Sequence, residues 1–426
     1  MNSYTQHPEV LRLVESIHSK GLDTKIYSDL IDEQNHQYVD LVQEGGGVLG
    51  IALVGYTYIL EKAGIRFFSL AGTSAGAINT MMMAGLARVG EPVSEKVLTI
   101  MSSKNLFDFV DGNTRLKKLV QDYIEDRPFF KLRVAFNALL IWKTLKENLG
   151  FNPGNDFEKW VDFHLSQAGV TTMADLHRRR QELPVLMDRT SREVLLREAA
   201  VKIITSDVTT KSKITFPEMA ELYWAEPETV HPSCFVRASM SIPFFFNPFQ
   251  VNKIPHAGTT EDPNLPKEST RWRKHTGYRG PIPETVRFVD GGMLSNFPIN
   301  AFHMKSGMPK KPTFGARLST WRDACSKSES IGGLCGAMIS TMRQLHDYDF
   351  LLKNEDYKQL ICSIDADAKH DAQGKDMFNW LDFNMPEEKR LALFTLGAEK
   401  AIAFLEGFNW DNYKRLRSGV QTGKME

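Results

Sequence analysis

Cysteine is scarce in this chain and supplies no framework. Cys234, Cys325, Cys335 and Cys362 are scattered through 426 residues without paired, metal-type spacing, so neither a disulfide scaffold nor a metal site is expected, and reduced thiols in a cytoplasmic setting are. Net charge is lacking as well. Lys+Arg and Asp+Glu each number 52, which leaves no global field to draw nucleic acid, and any lipid contact has to be local. No apolar run is long enough to span a bilayer. The longest, around Ala135-Phe136-Asn137-Ala138-Leu139-Leu140-Ile141-Trp142, is short and bounded by lysines. The opening residues, Met1 to Pro8, carry no basic segment followed by an apolar core, so no secretory signal is expected. Internal repeats and low-complexity tracts are missing too. What is present is an ordered globular composition, 42% hydrophobic and 10% aromatic, in a chain long enough for one elaborated domain or two modest ones.

The strongest local pattern is Gly72-Thr73-Ser74-Ala75-Gly76. An apolar, aromatic run from Arg66 leads into it and a helix-compatible run to Leu86 leads out, which reads as strand, tight turn, helix. A serine at the apex of such a turn presents its hydroxyl to the open, and glycines on either side let strand and helix approach closely. The free N–H groups of the following helix favour negative charge there. Ser74 is therefore a candidate nucleophile. Taken alone, the pentapeptide is moderately specific, and a small-residue turn needed for helix-on-sheet packing is the other reading.

Along the chain, Pro8 to Ser19 has helical spacing, and Tyr38 to Gln43 has the length and composition of a strand. Gly45-Gly46-Gly47-Val48-Leu49-Gly50 follows, then a helical pattern to Gly64 and the strand that leads to Ser74, a βαβα unit. Residues 91 to 169 read as mostly helical, with no convincing strand. Thr172 and Asp175 form an N-cap signal; Val201 to Asp207 is a strand that Thr209 to Phe216 continues as a hairpin. Residues 251 to 285, rich in Pro, Gly, Thr and charge, read as a long surface loop. Val286 to Val289, Thr313 to Leu318 and Leu360 to Ile364 are further strands, and Pro386 opens a helix to Gly407.

Three elements each sit just after a predicted strand: the triple glycine, Ser74, and Asp290-Gly291. In open parallel sheets the carboxyl ends of the strands share the edge where sites form, so the three are expected to converge. A nucleophile needs a base and donors for the developing oxyanion. Residues without Cβ let backbone N–H groups turn towards a substrate oxygen.

Together, Gly45-Gly46-Gly47-Val48-Leu49-Gly50, Gly72-Thr73-Ser74-Ala75-Gly76 and Asp290-Gly291-Gly292 resemble the motifs of the patatin-like phospholipase family. Ala238-Ser239-Met240-Ser241-Ile242-Pro243-Phe244-Phe245-Phe246 and Ser206-Asp207-Val208-Thr209-Thr210 extend the resemblance, which covers about Tyr38 to Asn300. It implies a three-layer α/β/α fold with a mainly parallel central sheet, here with N- and C-terminal helical additions. The expected division is a helical extension over 1–36, a catalytic core over 37–303, and strands and helices packing on it over 304–426. The resemblance further implies a Ser–Asp dyad that hydrolyses lipid acyl esters without histidine. Carried over, Ser74 is the nucleophile, Asp290 the base, and Gly45, Gly46, Gly47 and Val48 supply the oxyanion hole. Many members have Asp where Glu44 stands and Arg or Lys where Leu49 stands; the triacylglycerol-lipase branch also has leucine there.

The expected activity is phospholipase A-type cleavage of glycerophospholipids, with no cofactor, by a cytoplasmic protein peripheral at membranes. Its partner is the phospholipid of the bilayer surface, with no nucleic acid; self-association or a regulatory partner is left open. Two other readings stand beside it: a Ser74, Asp290, His303 triad, whose order along the chain is admissible, and a module that binds lipid or a partner without turnover. A phosphate loop is disfavoured, since no Lys-Ser or Lys-Thr follows the glycines. Phe244, Phe245, Phe246 and Phe249, with the apolar run ending at Trp142, are read as lining an acyl pocket, dipping into a membrane surface or packing in the core, and Arg178-Arg179-Arg180 as a headgroup lure or a charged helix end. His346-Asp347-Tyr348-Asp349 is read as a solvated helix face, because its acids do not converge with one histidine.

Overall fold

Gln37–Gln43 and Ile65–Thr73 are buried at every residue. A strand hidden on both faces needs layers on both sides, so helices have to cover the sheet above and below. The computed structural model describes residues 3–421 apart from 126, 196, 260–270, 323–324, 326–328, 330 and 369–376. Its strands are Leu30–Asp32 (β1), Gln37–Gln43 (β2), Ile65–Thr73 (β3), Gly150–Asn152 (β4), Leu186–Asp188 (β5), Val201–Asp207 (β6), Ser212–Phe216 (β7), Phe244–Phe246 (β8), Phe249–Asn252 (β9), Thr285–Asp290 (β10), Thr313–Arg317 (β11) and Ile361–Ser363 (β12). The main sheet runs β12-β11-β2-β3-β6-β10-β9, with β1, β5 and β7 off this path. From β12 to β6 every pair is parallel. The α/β fold with a mainly parallel centre is as the sequence predicts.

Two elements depart from the reading of the sequence. A strand does occur in the helical region, β4, which pairs with β8 in a separate two-stranded sheet; three residues are too few to show a period. The long segment after residue 251 is not all loop: β9 opens it and the helix Arg271–Thr276 and β10 close it, while 260–270 lie outside the described residues.

The direction of β10 matters most for the site. It runs antiparallel to β6, with Asp290 opposite Thr205, so the premise that all three motifs share the carboxyl edge of parallel strands fails for Asp290. Convergence has another cause. Thr73 pairs with Ile204, and β6 continues three residues past it to Asp207. Returning along that overhang, β10 ends level with the end of β3.

The loop after Asp290 is pinned from the helix Ile331–Lys353. Asp347, only 6% exposed, accepts hydrogen bonds from Ser295 Oγ at 2.7 Å and Phe297 N–H at 2.8 Å. The reading of this stretch as solvated is therefore wrong at Asp347, although His346 is exposed beside Lys213 Nζ. Burial pushes the Asp347 carboxyl up to about 7, with the Ser295 and Phe297 donors opposing it. In the unfolded chain the group ionises near the usual ~3.9. Between pH 4 and 7 the folded state therefore holds the extra proton, and this group's contribution to stability declines as pH rises through that window. Chemical denaturation across it is expected to show a slope that Asp347→Asn flattens; parallel slopes in the two proteins would contradict the assignment.

Candidate active site

Ser74 sits between β3 and the helix Ala75–Leu86 at φ 51° and ψ −117°. A non-glycine residue pays for positive φ and keeps it only when its surroundings hold it there. The holding contacts are visible: the Ser74 N–H donates to Ser239 Oγ at 2.9 Å, and that hydroxyl donates to Ile204 O at 2.6 Å. The turn is thus tied to β6, the strand beside β3. Gly76 is required by close approach, since a Cβ there would lie 2.3 Å from Gln43 O.

Asp290 is 7% exposed. Its N–H donates to Ser241 O at 2.8 Å, and its Oδ1 accepts from Gly292 N–H at 2.7 Å. Oδ2 has no hydrogen-bond partner among the described residues. Burial raises this carboxyl above the usual aspartate range; the Arg343 guanidinium, the nearby Ser74 hydroxyl and the Gly292 N–H pull the other way. The arrangement leaves one buried carboxylate oxygen without a hydrogen-bond partner among the described residues, near the Ser74 hydroxyl.

The glycine loop closes the site from β2. Gly45 adjoins Ser74, for a Cβ on it would meet Ser74 Cβ at 3.0 Å. Its N–H is already given to Asn296 O at 3.0 Å, and the Val48 N–H to Trp380 O at 3.1 Å. Of the four residues named as oxyanion donors, Gly46 and Gly47 have no such acceptor among the described residues. Gly47 has φ 55°, and a Cβ there would stand 2.2 Å from Trp380 O. Glu44 locks the loop in place: its carboxylate accepts from the N–H groups of Leu318 and Ser319 at 2.6 and 2.8 Å, from Ser319 Oγ at 2.7 Å and from Asn296 Nδ2 at 3.2 Å. Leu49 is buried, in keeping with a packing rather than an electrostatic role. A polar cavity of about 220 Å³ opens beside the loop, lined among others by Glu44, Asn296, Ser319, Arg343 and Trp380.

Asn296 and Arg343 carry no sequence motif. Asn296 Nδ2 also donates to Gly45 O at 3.1 Å, while its Oδ1 accepts from Arg343 Nη2 at 2.8 Å. The Arg343 side chain stands over the Trp380 ring at 5.9 Å. Only long-range packing of the helix Ile331–Lys353 brings it here. The one usable signal was Asn296 itself, six residues after Asp290.

The histidine of the alternative triad lies elsewhere. His303 packs between Phe350 and Tyr357 and lines a separate cavity with Asp40, Lys310, Lys311 and Arg417. Its pKa is lowered by burial and by Arg417. The three phenylalanines divide: Phe244 and Phe245 line an apolar groove of about 360 Å³ with Leu381 and Phe151, whereas Phe246 is fully buried, with the Arg237 guanidinium over its ring. Phe383 stacks on Phe245 at 5.0 Å, so the segment from Trp380 to Phe383 connects the glycine loop to the groove. Of the arginine triplet, Arg180 is buried on Phe68 O and Arg179 donates to Gly85 O and Ala168 O. Arg178 is exposed and paired with Asp175. No helix among the described residues is long and apolar enough to cross a membrane, and none of their His, Cys, Asp and Glu side chains form a metal-holding group.

Known proteins are similar to the chain along most of its length. An uncharacterized protein, YqhO of Bacillus subtilis (strain 168), is 29% identical over 376 residues, which are 88% of this chain and the whole of that protein. The crystal structure of VipD from Legionella pneumophila matches at 13% identity and a TM-score of 0.41, over 89% of this chain and 70% of that one, too loosely to bear on the site. The family model for patatin-like phospholipases matches residues 41–303. The chain belongs to the patatin-like phospholipase family.

Proposed function

We propose that the protein is a serine lipid acyl hydrolase that cleaves acyl esters of glycerophospholipids through an acyl-enzyme on Ser74. The observation that carries the reading is the unspent Oδ2 of Asp290, buried beside the Ser74 hydroxyl. Ser74 Oγ attacks the ester carbonyl as its proton passes to Asp290. The carbonyl oxygen becomes an oxyanion, for which the N–H groups of Gly46 and Gly47 are the donors still unengaged. Collapse releases the lysophospholipid alcohol, which takes the proton from Asp290. Water then enters the same position, gives a proton to Asp290 and attacks the acyl ester; the fatty acid leaves and Ser74 recovers its hydrogen.

A free aspartate is a weak base for an alcohol. Burial brings its pKa towards that task, and the rest of the acceleration falls to positioning and to donors that are already oriented. With Asp290 Oδ2 lacking a hydrogen-bonded histidine, the dyad is favoured over the triad. Binding without turnover is the surviving alternative, and it gives no role to an unpaired buried carboxylate.

A fluorophosphonate probe is expected to label the wild type and not Ser74→Ala. Asp290→Asn should lower phospholipid turnover by the roughly 10²–10⁴ typical of losing a general base. Near-normal turnover in either variant would remove the dyad. Arg343 supplies a finer check, since its charge favours the ionised form of Asp290. Removing that charge raises the Asp290 pKa, so the active, deprotonated base appears only at higher pH. The acid limb of kcat/KM is therefore expected to move upward in Arg343→Gln; an unmoved limb would show that Asp290 is not the group titrating.

A further inference from the structure

Residues 114–150 form the helices Thr114–Ile124, Phe130–Phe136 and Ala138–Asn148, and the last two are apolar on both sides. Inward, Phe130, Val134 and Ile141 wall the apolar groove whose floor holds Phe244, Phe245 and Leu381. Outward, Leu132, Phe136, Leu139 and Trp142 are 54%, 82%, 86% and 70% exposed. Leu132 and Phe136 stand one turn apart on the helix Phe130–Phe136, and Leu139 and Trp142 one turn apart on the next. Single exposed apolar residues are ordinary, but a contiguous stripe of large ones marks a surface that something covers.

Charge says what covers it. The chain has no net charge, yet residues 114–150 contain eight Lys and Arg against four Asp and Glu. Lys131, Lys143 and Lys146 are exposed alongside the stripe. A second copy docking through the same face would set this positive excess against itself; an anionic surface complements it. Short helices with large apolar side chains and an aromatic on one side and lysines beside them have the makeup of elements that lie in a bilayer interface. At 7 and 11 residues, these are too short to cross one.

We propose that residues 129–148 are a lipid-docking element: the outward stripe enters the headgroup boundary of an anionic phospholipid bilayer, and the groove beneath receives an acyl chain from it without passage through water. The acyl-receiving part rests on the hydrolase reading above; docking itself does not.

The test uses the full chain carrying Ser74→Ala, which binds without turnover, in sedimentation with vesicles of phosphatidylcholine alone or mixed with phosphatidylglycerol. Binding is expected, stronger on the anionic vesicles and weakened by salt. Phe136→Asp with Leu139→Asp, at surface positions where circular dichroism can verify folding, should lower vesicle affinity at least ~10-fold. Lys143→Gln with Lys146→Gln should remove most of the preference for anionic vesicles and flatten the salt dependence. Undiminished vesicle binding by both double variants overturns the proposal. So does a concentration-dependent dimer of the parent chain that the Phe136/Leu139 variant abolishes, which would assign the stripe to a second copy. Failure of the hydrolase reading would appear in a different measurement, absence of fluorophosphonate labelling in the chain that retains Ser74.

Discussion

The architecture of the site depends on one backbone constraint, the positive φ of Ser74 at the end of β3. That conformation aims the hydroxyl away from the sheet, and it is unfavourable for a side chain with a Cβ unless neighbours impose it. The imposing neighbours are the Ser239 hydroxyl, which accepts a hydrogen bond from the Ser74 N–H and donates one to Ile204 O, and the backbone of residues 43–44, against which Gly76 fits only because it has no side chain. Strand β6 thus acts twice: Ile204 anchors the turn, and the overhang beyond it guides β10 back to bring Asp290 level with Ser74. A long stretch of chain separates the two candidate catalytic residues, and one strand accounts for their meeting.

Around that turn, polar groups fall into two kinds. Most are saturated: Glu44 is held by four donors, Asn296 by Glu44, Gly45 and Arg343, and Asp347 by Ser295 and Phe297. Buried polar groups satisfied in this way fix loops in one geometry, since any shift leaves a donor or acceptor unpaired in a dry interior. Asp290 Oδ2 is among the buried atoms that have no hydrogen-bond partner among the described residues. An unpaired carboxylate oxygen among saturated neighbours is costly, and that cost is understandable where the oxygen has a proton to collect.

How much of this the sequence disclosed depended on whether the signal was local. The βαβα unit leading to Ser74 follows from strand-length apolar runs alternating with helical ones, the mainly parallel sheet is what the family resemblance implies, and β2, β3, β6, β10 and β11 start and end within a residue or two of their expected bounds. Ser74, Asp290 and the triple glycine were legible as candidates because turns write themselves in glycine. Ser239, Asn296 and Arg343 were not singled out, because their roles arise from contacts across tens to hundreds of residues and their types are unremarkable locally. Asp347 misled for the same reason: in His346-Asp347-Tyr348-Asp349 it resembles an exposed face, and only the packing of its helix on the loop after β10 buries it. The reversed direction of β10 was hidden as well, since a strand's pattern does not encode which way it runs. Likewise the period of residues 130–148 announced helices but not that the apolar stripe faces outward.

The central claim, that Ser74 carries the acyl group during turnover, is tested most directly by quenching the wild-type protein in acid while it hydrolyses a phospholipid of defined acyl composition and mapping its peptides by mass. The account predicts a single adduct of acyl mass on the peptide containing Ser74, accumulating and decaying with the fatty acid produced. Fatty acid released with Ser74 unmodified throughout, or an acyl adduct on another residue, would contradict it.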